Sequence, residues 1–321
     1  MIAASRRNRP ISATGLSACL VLAVGWSSAH AQDRVYVLDT TGQALLAVDL
    51  RTGQPTTRTP LDVAAKELLA SPDQAHLVAL APGAHKATFC CGYQPKSPIT
   101  ATVFDADTLQ KTAGVEVGWG MPTITVAGFE LLSPRAALLP SVDGRRVTIL
   151  CAGYRSKKPE ETLPRELVTI ELDSGRVAGR VALDRPVELV GRVADTETAV
   201  LLAEAQTGKE PMAAEIILAD LTQQAVTERI RLEGAPTRPF ITADGGWLYL
   251  LDPGKPSNKK DKNVDGSLHV VSLRERKLVA TVGAGSDPRT FFWDEDRQLA
   301  LLPSDGPPVE KGETRKGSCG S

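Results

Sequence analysis

Residues 235–252 read Ala-Pro-Thr-Arg-Pro-Phe-Ile-Thr-Ala-Asp-Gly-Gly-Trp-Leu-Tyr-Leu-Leu-Asp. Two strand-length apolar runs, rich in aromatic and branched residues, flank Ala243-Asp244-Gly245-Gly246. Asp and Gly tolerate positive φ, so the stretch spells strand, tight turn, strand. The same phrase returns along the chain. Polar turns stand at Ser71-Pro72-Asp73-Gln74, Ser141-Val142-Asp143-Gly144, Ala194-Asp195-Thr196 and Asp294-Glu295-Asp296, each followed by a short apolar strand.

A second phrase alternates with the first. Ala101-Thr102-Val103-Phe104-Asp105, Leu167-Val168-Thr169-Ile170-Glu171, Glu215-Ile216-Ile217-Leu218-Ala219-Asp220 and Leu268-His269-Val270-Val271-Ser272 repeat the pattern of residues 44–50. Each ends in a polar turn and leads into another alternating segment. The chain therefore reads as four short antiparallel strands per unit, at spacings of ~50–65 residues where a bare blade needs ~40–50. Five units are recognisable, with the opening of a sixth. No segment keeps a helical period. A four-stranded unit cannot bury both its faces alone, so the units must stack around an axis.

Residues 278–302 run from an apolar strand through Val282-Gly283, Asp287-Pro288 and a polar turn to a closing apolar strand. This phrase, with Ser71-Pro72-Asp73, Val35-Tyr36-Val37 and Leu248-Tyr249-Leu250, resembles the Tyr-Val-Thr-Asn (YVTN) β-propeller repeat family. The likeness spreads over residues 33–302. It departs where the closing Asn is replaced, as at Asp39 and Asp252. The resemblance implies an all-β propeller of four-stranded antiparallel blades and leaves function open.

The chain has 321 residues, a formal net charge of −1, a hydrophobic fraction of 42% and an aromatic fraction of 4%. Small and branched side chains must therefore fill the core. Near-neutral charge argues against a dedicated nucleic-acid binder. Residues 1–31 read as a secretory signal: Arg6, Arg7 and Arg9, an apolar stretch from Leu16 to Trp26, then Ala29-His30-Ala31 as cleavage site. Export is the expectation, to the periplasm or outside the cell, with a mature chain starting at Gln32 and no transmembrane segment after cleavage. Leu16-Ser17-Ala18-Cys19 imitates a lipid-attachment site, but the apolar run Leu20-Val21-Leu22-Ala23-Val24 follows Cys19 instead of preceding it. The domain reading is a signal at 1–31, the propeller at 32–302, and a polar segment at 303–321, disordered by composition. At that end three readings stay open: a truncated chain, a five-bladed ring with a tail, or a different blade count.

Long polar segments interrupt the units at 81–98, 151–165, 203–214 and 252–266. All occupy one place in the repeat, so all should emerge on one face, where tandem repeats carry their binding surface. Tyr93, Lys96, Tyr154, Arg155, Lys157, Lys158, Lys259 and Lys260 are the candidate binding-face residues. Their partner would be a protein or an anionic polymer. Solvated loops that keep an exported protein soluble account for the same charges. The Arg-Pro and Pro-Arg pairs at Arg135, Arg185, Arg238 and Arg289 could set guanidinium groups near a central channel or serve as turn residues.

After signal removal four cysteines remain: Cys90, Cys91, Cys151 and Cys319. Residues 90–98 align without gaps on 151–159, which makes Cys90 and Cys151 equivalent positions in adjacent blades. A Cys90–Cys151 bridge is the expected disulfide, with Cys91 the rival partner and Cys319 free or paired with whichever remains. These cysteines lack the paired spacing of a zinc site. His76 and His269 lie in strands and read as packed or edge residues. No nucleophile elbow, zincin helix or phosphate loop is present, so no catalytic residue, metal or cofactor is assigned. The functional expectation is a non-catalytic recognition or scaffold module. The alternative is a propeller enzyme, lactonase-like or quinoprotein-dehydrogenase-like, which requires His, Asp or Glu converging at the channel.

Overall fold

The structure, a computed structural model, describes residues 34–39, 41, 43–88, 92–120, 123–126, 129–132, 137–154, 159–205, 213–254, 265–285, 288, 292–294 and 299–301. Its strands follow the polar turns. β1 (Arg34–Leu38), β2 (Ala44–Asp49) and β3 (Pro55–Pro60) form a three-stranded sheet. β4 (Glu67–Ala70) and β5 (His76–Ala81) come next, then a hairpin of β6 (His85–Thr88) and β7 (Gly92–Pro95). β8 (Ile99–Asp105) and β9 (Lys111–Gly118) then complete the sheet β4-β5-β8-β9. A second free-standing hairpin, β10 (Thr123–Val126) with β11 (Phe129–Leu132), precedes the third sheet. That sheet is β12 (Leu138–Pro140), β13 (Arg146–Cys151), β14 (Arg165–Glu171) and β15 (Val177–Leu183). The fourth is β16 (Glu188–Arg192), β17 (Thr198–Ala203), β18 (Ala214–Asp220) and β19 (Ala225–Leu232). The fifth is β20 (Thr237–Ile241), β21 (Trp247–Asp252), β22 (Gly266–Ser272) and β23 (Lys277–Gly285). β24 (Phe292–Asp294) and β25 (Leu299–Leu301) pair as a hairpin.

All sheet pairings are antiparallel, and successive sheets pack face to face as propeller blades. Each interface is an apolar layer, chiefly of Ala, Val, Leu and Ile. Val78, Leu80, Ile99 and Val103 of the second blade meet Val147, Ile149, Val168 and Ile170 of the third. Leu150 and Leu167 meet Leu201 and Ile217 of the fourth, and Val200 and Leu218 meet Leu248 and Leu250 of the fifth. The second strand of a blade lies between two neighbours and is buried on both faces, as Thr198–Ala203 is throughout. Such strands read as continuous apolar runs, whereas outer strands such as Lys111–Gly118 alternate.

The polar residues of the two repeated phrases are consumed in turns. Ser71, Ser141 and Thr242 donate to Asp73, Asp143 and Asp244 at 2.5–2.6 Å, and each hydroxyl accepts the amide that opens the next strand. Asp49 and Asp105 accept the amides of Thr52 and Thr108 at 2.9 and 2.8 Å. Those amide bonds, first among the influences on each, hold both carboxyls below the usual range.

Units counted from the strands at residues 101–105 and 167–171 are half a unit out of phase with the blades. The strand after each Ser/Thr-x-Asp turn pairs with the second-phrase strand that follows it, β5 with β8 and β13 with β14. A blade therefore opens on the strand before the turn. The long polar segments fall inside blades, between second and third strands.

Candidate functional site

In a meander of antiparallel strands, connections between second and third strands leave on the same side as the links from blade to blade. The tight turns of the four-stranded blades lie on the other side. The described ends of the segments 82–98, 152–164, 204–213 and 253–265 therefore leave the blades on one face, together with the link that carries β10 and β11.

The inserts leave the blades through pinched roots. Gly83 and Gly153 have φ of +55° and +64°. A Cβ on Gly153 would stand 2.5 Å from the Pro164 carbonyl oxygen, and one on Gly83 would overlap that of Pro98. Above the pinch the two legs pair. The Lys96 amide donates to the Ala84 carbonyl at 2.7 Å, and Tyr154 and Leu163 exchange amide bonds at 3.1 and 2.8 Å.

The roots are also tied to the linkers that enter the same blades. In the third blade the amides of Ala152 and Gly153 donate to the carbonyls of Gly120 and Trp119, at 2.6 and 2.8 Å. In the fourth, Arg185 donates to the Glu204 carbonyl at 2.7 Å and stands 3.3 Å from the Glu215 carboxylate. Arg229 bridges Glu215 and Asp184 at 3.1 and 3.0 Å. In the fifth, one carboxylate oxygen of Asp252 accepts the Ala235 amide and the other the Gly254 amide, at 2.9 and 2.8 Å.

Glu67 opens the innermost strand of the second blade on this face. Both its carboxyl oxygens accept the Ala137 amide of the third blade, at 2.9 and 3.0 Å. Burial pushes its pKa up to about 7, against the opposing pull of the Ala137 and Leu138 amides. Nothing in Glu67-Leu68-Leu69-Ala70 except a charged residue heading an apolar strand marks it in sequence.

The candidate residues divide sharply. Lys96 is exposed beside the β7 strand, and Tyr154 is half-buried in the paired root. Tyr93 lies in β7 with its side chain outside the described residues. Arg155, Lys157, Lys158, Lys259 and Lys260 also fall outside them, as do Cys90, Cys91, Cys319, Arg135, Arg289, residues 1–33 and residues 302–321. Arg185 does not reach a channel: it is 2% exposed, folded into the insert root. Arg238 is exposed at a φ of +50°.

Cys151, expected to pair with Cys90, carries a free thiol. The gapless alignment behind that pairing is out of register. Cys151 ends the second strand of its blade, the position Ala81 holds in the blade before. Cys90 lies between β6 and β7 in sequence, outside the described residues. The Cys151 sulfur packs where a side chain on Gly118 would otherwise lie, and burial, with Glu166 nearby, pushes its pKa up to about 12. Native protein is expected to leave Cys151 unlabelled by maleimide, and denatured, unreduced protein to label it. Peptide mass mapping distinguishes the two, and a Cys90–Cys151 bridge would block the second.

Two histidines occupy packed strand sites. His269 is 1% exposed, 3.1 Å from the Thr281 hydroxyl, with its pKa lowered chiefly by burial. His76 faces Asp173 at 3.2 Å on the side opposite the inserts. Among the described residues no three His, Cys, Asp or Glu side chains converge to hold a metal ion, and no helix is long and apolar enough to cross a membrane.

No family model and no curated protein matches the chain. Solved structures do. Hydrazine synthase from Kuenenia stuttgartiensis is 14% identical, with a TM-score of 0.53 over 92% of this chain and 77% of its own. The Pan2 WD40 domain of Neurospora crassa is 12% identical, with a TM-score of 0.44 over 70% and 57%. Dihydro-heme d1 dehydrogenase NirN is 14% identical, with a TM-score of 0.39 over 87% and 59%. At 14% identity the likeness to hydrazine synthase shows the β-propeller fold alone.

Proposed function

We propose that the protein is an exported, YVTN-type β-propeller that acts as a recognition module through its insert-bearing face. One observation carries this reading. Every blade-internal insert leaves on the same side through a root fixed by backbone or buried side-chain bonds, while the opposite side is built of minimal turns. Fixed roots lower the ordering cost of binding, as preorganised loops do. The partner class is a protein or an anionic polymer. The enzyme alternative draws on Glu67, whose carboxyl titrates near neutrality. That carboxyl is already engaged by backbone amides of the neighbouring blade, so recognition is the stronger reading.

Photo-crosslinking groups placed at Lys96, on the insert face, and at Thr52, in an opposite-face turn, test it in the cell of origin. Adducts are expected from Lys96 and not from Thr52, as one discrete band for a protein and a smear for a polymer. Adducts from Thr52 alone, from both positions equally or from neither would overturn the reading.

A further inference from the structure

We propose that Ser267, His269 and Thr281 are a serine nucleophile, its base and the group that orients the base, a hydrolytic site for carboxylic esters that carry no negative charge. The Ser267 hydroxyl stands 3.4 Å from His269 Nε2, and His269 Nδ1 stands 3.1 Å from the Thr281 hydroxyl. Nucleophile, base and orienting group thus follow one another in contact, as activation of a hydroxyl requires. The first contact has the loose length common before substrate binds.

The other blades are internal controls. Thr100, Glu166 and Glu215 hold the place of Ser267, each opposite the last residue of its blade's second strand. Thr102, Val168 and Ile217 hold the place of His269, and Gly114, Arg180 and Arg229 that of Thr281. The third and fourth blades span an aliphatic residue here with an ion pair, Glu166 to Arg180 at 2.6 Å and Glu215 to Arg229 at 3.1 Å. Packing at this place therefore needs no imidazole. A buried polar ring costs stability where Val or Ile does not, yet the fifth blade holds His269 at 1% exposure between two hydroxyls.

Ser267 lies at the start of β22, on the insert side of the blade, and is half-buried; Thr281 is exposed. His269 pairs with Leu250, which packs on the fourth blade, so the trio faces that blade. In the competent tautomer Nδ1–H donates to Thr281 and Nε2 accepts from Ser267. Ser267 Oγ bonds to the ester carbonyl carbon as its proton passes to Nε2. The ester C–O bond breaks, and the alcohol leaves with that proton. Water then repeats the transfers, releasing the carboxylic acid and restoring Ser267. Burial, the largest influence on His269, keeps the resting ring neutral, while the charges of Asp252 and Glu233 favour the imidazolium that forms in transit. The same two carboxylates repel an anionic acyl donor.

The site does not rest on the recognition reading. Treatment of the mature full-length protein with a fluorophosphonate, followed by peptide mass mapping, tests it. One adduct is expected, on Ser267. Ser267→Ala should abolish labelling and p-nitrophenyl acetate hydrolysis. His269→Gln should slow both at least about 100-fold, the lower bound for a lost general base. Thr281→Val should slow both at least about tenfold through lost orientation, and Thr281→Ser should restore them. Ser267→Ala, at a half-buried position, keeps the test independent of whether His269→Gln folds. No adduct, an adduct elsewhere, or hydrolysis undiminished in Ser267→Ala would overturn the site. Equal rates with the anionic p-nitrophenyl succinate would overturn the substrate class.

Discussion

Gly153→Ala is expected to destabilise the protein by about 3 kcal/mol or more, through backbone strain and a clash that cannot relax. Gly153 sits at a φ of +64°, and a left-handed conformation alone costs a residue with Cβ about 1–2 kcal/mol. The added methyl would also lie 2.5 Å from the Pro164 oxygen and 2.6 Å from that of Leu163. Both are backbone atoms of the returning leg, itself held by the Tyr154–Leu163 pair. Relief therefore means opening the pinch, which also strains the Gly153 bond to Trp119. Gly53→Ala is the control. Its φ is +67°, yet nothing lies within 4 Å of the added carbon, so about 1 kcal/mol is expected. Urea unfolding of both variants measures the difference. Equal costs would show that conformational strain, and not the crossing of the legs, sets the penalty at Gly153.

Phe104→Ala is expected to cost about 4 kcal/mol, within the range for emptying a buried aromatic site. Phe104 is 1% exposed and pairs across the sheet with Leu77. It packs with Leu38 and Leu45 of the first blade and Leu109 of the turn. These neighbours sit on paired strands, which cannot move inward to fill the space. Among the described residues the first blade has three strands, and Phe104 is the one fully buried aromatic residue in the layer that joins it to the second. The urea midpoint should fall with little change in slope. Phe292→Ala, at a site 61% exposed, should cost about 0.5 kcal/mol. A cost below about 1.5 kcal/mol at Phe104 would mean that this layer repacks.

Much of the fold was legible because its signals are local. The alternation in Lys111–Gly118 and the continuous apolar run in His76–Ala81 report how many faces of each strand are covered. Ser141-Val142-Asp143 reports a turn because its side chains close hydrogen bonds within five residues. The common face of the inserts followed from equal spacing. The half-unit offset did not, because local pattern places strands without pairing them. β5 could turn back on β4 alone or also receive β8 across an insert, and only the packing of whole sheets decides.

The candidate site was less legible. Cys90 and Cys151 share a local sequence context, yet Cys151 ends a buried strand where the preceding blade has Ala81. Glu67 meets Ala137 across 70 positions, and Arg185 meets Glu215 across two strands. Neither pair leaves a trace in either partner's neighbourhood.

The sequence by itself determined the strands, the turns, the repeat and the common face of the inserts, because each depends on residues a few positions apart. The tertiary structure alone decided which strands share a blade, how each insert is rooted and which carboxyl meets a neighbouring blade. Those outcomes depend on which distant surfaces exclude water together, and burial of that kind is a property of the packed blades and not of any one segment.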